Sequence, residues 1–305
     1  MSKKYTKVII NPTAGANSTH RKWPSINGLL KKTGLAFDFQ FTEGKGHAIE
    51  LARTAADEGY NSLVAVGGDG TIHEVANGML QKSCPARTSL GIICTGTGSD
   101  LSHSIGITHD YNLACHNLAN PKEITIDVGL VEYHKKDQTL QRYFVNSAGI
   151  GFDATVVDSV EKTPKYFGGT IPYLTALLRS FLFYRNKDIS YKIGDHPTQK
   201  ARVLSLVVAN GRYFGGGMHI APEAKLNDSL LDMIVMGNFG KIELLKNIKK
   251  VYSGTHLSLP KVNVIKDTRI VIESAQKFLL QADGEILGEG PATFSLLPKS
   301  LTLLV

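Results

Sequence analysis

Along the first third of the chain, short apolar runs alternate with segments whose apolar positions recur every three or four residues. Residues 7–10, 37–41, 63–66 and 90–94 read as strands, and 24–32, 47–58 and 72–80 as helices, the second ended by Gly59. Strands alternating with helices predict parallel crossovers, hence an open α/β sheet of Rossmann-like type covered on both faces. From about residue 124 the pattern changes to short strands with few helices between them: 124–131, 143–148, 190–193, 203–209, 231–235, 269–273 and 278–282. That spacing predicts an antiparallel β-sandwich, interrupted by helices at 171–185 and 241–252. The expected domains are residues 1–127 (α/β) and 128–305 (β-sandwich), with a last strand at about 292–305 that can return to the first. No internal repeat or low-complexity tract is present.

Three glycine-containing turns, 11–15, 67–71 and 95–100, follow predicted strands, and in open α/β sheets ligands lie beyond the carboxyl ends of the strands. Gly67, Gly68, Asp69, Gly70 and Thr71 form the most informative of them. Glycine leaves no Cβ between backbone and ligand, and N–H groups at the start of the next helix attract anions. Thr71 is positioned to cap a helix starting near Ile72. Asp69 would repel a phosphate unless a hydrated Mg²⁺ lies between them or the carboxylate supports a catalytic network. Asp100 also follows a βα turn, so the two carboxylates can meet at one sheet edge; alone, Asp100 reads as a helix N-terminal charge. A ligand-free turn is the plainer reading of any one loop, and three at one edge count against it. Asp283-Gly284-Glu285, taken alone, is a hairpin turn.

The chain has 305 residues, 42% hydrophobic and 20% charged, an ordinary soluble composition, and no apolar run near the roughly 20 residues that span a bilayer. The N-terminus passes directly into a strand, with no signal peptide expected. Cys84, Cys94 and Cys115 lack metal-ligand spacing and read as reduced thiols of a cytoplasmic protein. The net charge of +7 favours nucleotides, nucleic acid or acidic lipid surfaces, but the basic residues are too dispersed for a nucleic-acid groove.

Together, Asn11-Pro12-Thr13-Ala14-Gly15, the 67–71 loop, Gly96-Thr97-Gly98-Ser99-Asp100 and Asp283-Gly284-Glu285 resemble the diacylglycerol kinase catalytic family. The likeness is strongest to its soluble bacterial lipid kinases, relatives of sphingosine and ceramide kinases. The glycine-aspartate pentapeptide alone is shared with NAD kinases and phosphofructokinases. The resemblance implies an ATP site at Asn11, Pro12, Thr13, Ala14, Gly15, Thr42, Gly67, Gly68, Asp69, Gly70, Thr71, Ile72, His73, Gly96, Thr97 and Gly98. It implies Asp69 and Asp100 in a water-linked network around a catalytic Mg²⁺, and Glu285 or Asp283 as general base toward a lipid hydroxyl. A structural Mg²⁺ is implied on the Asp228 carboxylate and the carbonyls of Lys225 and Leu230. The implied reaction is phosphorylation of a membrane lipid, by default diacylglycerol to phosphatidic acid, in an interdomain cleft at the inner membrane face; a homodimer is left open. Ser99 stands where the family usually has Asn, and Ser229 where it has Gly. The alternatives are an NAD kinase-like enzyme, or a nucleotide- or lipid-binding regulator with impaired catalysis, which Ser99 keeps open.

Other features have plainer readings. The helix at 171–185 reads as core packing ahead of an acyl- or membrane-facing role. Gly215–Gly217 is a cleft loop or an irregular turn. His47, His73 and His103 lie near the expected ATP site without metal spacing, and Trp23 and the methionines read as packing.

Overall fold

The computed structural model describes residues 5–81, 88–96, 99–135, 138–162, 179–274 and 276–305. The chain divides into two compact units, 1–128 with 298–305, and 129–297.

In the first unit, β1 (Thr6–Ile10), β2 (Phe37–Phe41), β3 (Ser62–Gly67) and β4 (Ser89–Cys94) lie in the order β2-β1-β3-β4, all parallel. Val8, Ile10, Val64, Val66 and Ile93 pack against Trp23, Ile26 and Leu30 of α1 (Ala14–Lys32) and Cys115 and Leu118 of α5 (Tyr111–Ala119). The alternate residues Ile9, Leu63 and Ala65 are buried too, because α2 (His47–Asp57) and α3 (Asp69–Leu80) contact the same strands. Burial on both faces is what makes β3 and β4 continuous apolar runs. The short α4 (Asp100–Ile105) follows β4. The end of β16 (Ala292–Leu304) adds to this sheet parallel to β4, with Leu303 opposite Leu90. Beside it, the buried Asp127 carboxylate accepts the Lys299 N–H at 2.7 Å.

The second unit is an antiparallel sandwich. One layer holds the first half of β16, then β13 (Arg269–Glu273), β8 (Lys187–Ile193) and β9 (Gln199–Val203) in that order. The hairpin of β5 (Glu123–Lys135) and β6 (Gln138–Phe144) belongs to it. The other layer has the order β12 (Val262–Asp267), β11 (Leu231–Met236), β10 (Ser205–Ala209), β7 (Ser147–Gly151), β14 (Leu279–Ala282), β15 (Glu285–Glu289). Phe144, Tyr191, Ile272 and Phe294 meet Ile150, Leu206, Met233 and Leu280 in the core between the layers. On the outer face of the second layer, Val207, Ile234 and Met236 pack with Phe239 and with Val251 of α7 (Lys241–Ser253).

Several elements differ from the sequence expectation. The expected strand 143–148 is two, β6 and β7, broken at Val145–Asn146; the expected strand 203–209 is β9 and β10, broken at Leu204, whose N–H is drawn to the carbonyls of Met236 and Gly237. The expected helix 24–32 is the second half of α1, with Pro24 in its interior. The helices α5 and α6 (Phe152–Lys162) and the strands β12 and β15 carry too weak a periodicity to have been read. Most of the expected helix at 171–185 lies outside the described residues; 179–183 is helical. Cys84 also lies outside them. Among the described residues, no helix is long and apolar enough to cross a membrane.

Candidate active site

The loops after β1, β3 and β4 are tied to one another by specific bonds. Asn11 Nδ2 donates to Thr71 Oγ1 at 3.1 Å, while Asn11 Oδ1 accepts the N–H and hydroxyl of Thr13 at 3.1 and 2.9 Å. Pro12 lies inside this turn, and its carbonyl accepts the His20 N–H. The chain then runs through Gly15, Ala16 and Asn17 with φ of 60, 55 and 66°, left-handed conformations that interrupt the first turn of α1 opened by Ala14. Thr95 joins the third loop to both others: its N–H donates to Gly67 O at 2.8 Å, and its hydroxyl forms a hydrogen bond of 2.6 Å with the Thr19 hydroxyl of α1. The Lys22 ammonium donates to Thr95 O at 3.3 Å. Thr42 closes the group at the end of β2, bonding Ile10 O through its N–H at 2.8 Å.

The glycines here have separable reasons. A Cβ on Gly96 would lie 2.6 Å from Gly68 Cα, so two loop backbones touch at that point. At Gly70 the reason differs: φ is not positive, and among the described residues nothing lies within 4 Å of a would-be Cβ. Space in front of a helix N-terminus is what an anion's approach requires. Thr71 does not cap α3, a correction to the sequence expectation. Extended Gly68 precedes the helix, which starts at Asp69, and the Thr71 hydroxyl is held by Asn11. Ile72 and His73 are buried within α3, with the His73 carbonyl bound by Asn77 Nδ2. Thr97 and Gly98 lie outside the described residues.

Asp69 Oδ2 accepts the Asp100 N–H at 3.2 Å, so the two acidic positions adjoin at this edge, with Asp100 buried. Ser99 turns toward Cys94. Burial pushes the Cys94 thiol up, bonds from the Ser102 and Ser99 hydroxyls oppose this, and the Asp69 charge adds to it.

In the second unit, Asp283 and Gly284 form the two-residue turn between β14 and β15, with φ of 45 and 81°, a type I′ pattern. The Asp283 carboxylate accepts three backbone N–H groups, from Val145 (2.8 Å), Asn146 (3.0 Å) and Ser147 (2.8 Å). It thereby holds the break between β6 and β7. Glu285 Oε1 accepts from Arg142 Nη2 at 2.9 Å, both side chains mostly buried. Gln281 supports the turn from behind: its Oε1 accepts the Gly284 N–H at 2.9 Å and its Nε2 donates to Asp153 Oδ2 at 3.1 Å. Burial raises the Asp153 pKa, against bonds from Ser205 and Gln281. Arg142 and Asp153 were absent from the sequence reading, and Gln281 was read only as part of the strand 278–282, because their partners lie 143 and 128 residues away. Gly215, Gly216 and Gly217, all with positive φ, form a turn closed by the bridge between Phe214 and Met218.

For the implied cations, donor chemistry decides the fit. Mg²⁺ commonly uses one or two carboxylates plus substrate phosphates and water. Asp69 and Asp100 are two such carboxylates and would be the ones to hold it; among the described residues no group of three or more His, Cys, Asp or Glu is arranged for a metal. At the second position, Asp228 Oδ1 accepts the Leu230 N–H at 3.2 Å and Ser229 takes φ of 62°. The left-handed turn therefore persists without glycine, and the donors, Asp228 with the carbonyls of Lys225 and Leu230, are hard oxygens of the right kind.

A parallel sheet with glycine loops at its carboxyl edge is the arrangement of a nucleotide-binding domain, here joined to a β-sandwich. Residues 6–131 match the diacylglycerol kinase catalytic domain, and residues 146–305 match the YegS C-terminal NAD kinase beta sandwich-like domain. The chain belongs to the diacylglycerol kinase catalytic family and is an ATP-dependent kinase. Its relatives include a diacylglycerol kinase of Staphylococcus carnosus, 26% identical over 96% of this chain and 92% of that protein. Another, from Staphylococcus saprophyticus, is 28% identical with the same shares covered. Among solved structures, a diacylglycerol kinase from Bacillus anthracis superposes with a TM-score of 0.74 at 21% identity, over 100% of this chain and 97% of that one. An NAD kinase from Archaeoglobus fulgidus in complex with ATP gives 0.54 at 12%, over 98% and 93%.

Proposed function

We propose that this kinase uses ATP and Mg²⁺ to phosphorylate a lipid hydroxyl, with diacylglycerol as acceptor and phosphatidic acid as product, working at the inner membrane surface without spanning it. The observation that carries this is the bonding of three phosphate-type loops to one another: Asn11 to Thr71, Gly96 to Gly67 and Asp100 to Asp69. In this reading Asn11 to Gly15, Thr42, Gly67 to His73 and Gly96 to Gly98 hold the nucleotide. Asp69 and Asp100 would hold a hydrated Mg²⁺, which would supply neutralisation of phosphate charge. Asp228, with the Lys225 and Leu230 carbonyls, would hold a second, structural Mg²⁺.

The acceptor oxygen attacks the γ-phosphorus, the bond to the β-phosphate oxygen breaks and ADP leaves. The hydroxyl proton passes to a carboxylate, and Glu285 is the better choice of the two. Asp283 is committed to three backbone N–H groups that hold the chain at 145–147, whereas Glu285 is oriented through Oε1 by the Arg142 guanidinium. The NAD kinase reading shares the fold and the glycine-aspartate loop, so the acceptor decides between them. Purified protein with radiolabelled ATP, a total lipid extract, diacylglycerol and NAD⁺ is expected to yield labelled phosphatidic acid, identified by mass. NADP⁺ without phosphatidic acid would overturn the proposal, and Mg²⁺-dependent ATP binding with no transfer would favour the regulator.

A further inference from the structure

The helix α7, Lys241-Ile242-Glu243-Leu244-Leu245-Lys246-Asn247-Ile248-Lys249-Lys250-Val251-Tyr252-Ser253, has one buried side and one unusual exposed side. Leu244 and Val251 point to the sandwich, Val251 being 5% exposed, and belong to the outer cluster with Phe239 and Met236. Turned away from the sandwich, Ile242 is 71% exposed, Leu245 59% and Tyr252 51%, with Ile248 partly exposed nearer the buried side. At 3.6 residues per turn, Leu245, Ile248 and Tyr252 form a continuous apolar stripe that is left exposed among the described residues. Lys246, Lys249 and Lys250 are exposed between and beside these residues. The helix's single acid, Glu243, is taken by Lys261 at 2.6 Å. The patch continues at the N-terminal end, where the Lys241 ammonium bonds the carbonyl of Leu182, beside the strongly exposed Phe183.

We propose that this face of α7 docks on an anionic lipid bilayer, with Ile242, Leu245 and Tyr252 entering the headgroup–acyl boundary and the lysines resting on acidic headgroups. Charge decides this occupant. A second copy would bring two lysine sets together with no free acid on the helix to oppose them, whereas an acidic bilayer offers both apolar depth and opposite charge. Lysine stems reinforce the fit, since their methylenes lie along apolar surface while the ammonium reaches outward. The inference rests on the proposed lipid acceptor for its purpose, since a kinase acting on a membrane-dissolved alcohol gains from residence at that surface. The docking itself depends only on α7.

The test is co-sedimentation of the full chain with phosphatidylglycerol vesicles and with phosphatidylcholine vesicles. Phosphorylation of dioctanoylglycerol below its micellar concentration and analytical ultracentrifugation run alongside. The wild type is expected to bind the anionic vesicles in a salt-sensitive way and the neutral ones weakly. Ile242→Glu with Leu245→Glu is expected to reduce binding at least tenfold, and Lys249→Ala roughly fivefold, the Boltzmann factor for one lysine near an acidic surface. Neither should change the melting temperature or turnover of the dispersed short-chain substrate. Unchanged vesicle binding in both variants, or no binding by the wild type, overturns the proposal. So does loss of a dimer in the variants with vesicle binding intact, which would make the face an interface between copies. Vesicle binding lost through these substitutions, with no phosphorylation of any diacylglycerol by the wild type, would uphold the docking face while removing the proposed acceptor.

Discussion

Ala16 holds φ of 55°, between Gly15 and Asn17 in the same left-handed region, and a residue with a Cβ pays about 1–2 kcal/mol to stay there. The strain falls in the expected nucleotide loop, where it presets the course of the backbone after Asn11. Ala16→Gly is expected to raise stability by about 0.5–1 kcal/mol after the greater entropy of unfolded glycine is subtracted, read from the urea midpoint, and to weaken ATP binding. An unchanged midpoint would mean the conformation is not strained. The acidic turn gives a second contrast. Glu285→Gln should fold and bind ATP normally but lose about 10²–10⁴ in turnover, the usual share of a general base. Asp283→Ala strips the partner from three N–H groups and should cost about 2–4 kcal/mol in stability. Near-normal turnover in Glu285→Gln, measured beside a nucleotide-binding titration, would move the base elsewhere.

At the scale of elements, the 3₁₀ turn Thr255–Ser258 behind α7 carries a buried histidine. Burial lowers the His256 pKa below the ordinary 6.5, against the opposing pull of backbone groups at Lys250 and Ile220; His219 is lowered in the same way, with Arg212 adding to it. The folded state therefore favours the neutral rings. Their contribution is complete above pH 6.5 and is lost as pH falls through 6.5, where the unfolded chain takes up protons, toward the lower folded values. Chemical denaturation from pH 7.5 to 5 should show stability falling with acid, with a shallower slope in His256→Gln; equal slopes would acquit this residue.

Elements were readable where local pattern and burial agree. The runs at 63–66 and 90–94 announced β3 and β4 because both faces are covered, and 269–273 matched β13. β12, half polar at an edge, gave no comparable signal. The break between β6 and β7 depends on Asp283, some 136–138 residues away, and no local pattern carries such a bond. In the site, the glycine loops were visible as composition, while their mutual ties through Asn11, Thr71 and Thr95, and the Arg142 partner of Glu285, exist only once the strands are ordered.

For the whole molecule, β16 matters most. Leu301, Leu303 and Leu304 are buried, the strand end pairs with β4, and Val305 exchanges backbone bonds with Lys122 at 2.9 and 3.0 Å. Removing residues 298–305 strips the first unit of an inner sheet neighbour and leaves the Asp127 carboxylate without the Lys299 N–H. The shortened chain is expected to lose its cooperative unfolding transition in the first unit and to be cut rapidly there by protease; native-like protease resistance of residues 5–128 would contradict this.

That same strand sets a timetable for synthesis. The first 128 residues leave the ribosome long before residues 298–305 exist, so the first unit stays unfinished, with an edge of β4 open to pairing, while all of the second unit is made. The second unit is a single continuous stretch and can fold before residues 298–305 emerge. Nucleotide binding would thus switch on only once residues 298–305 have been made, and a product terminated before them would carry an exposed strand edge that invites aggregation and removal.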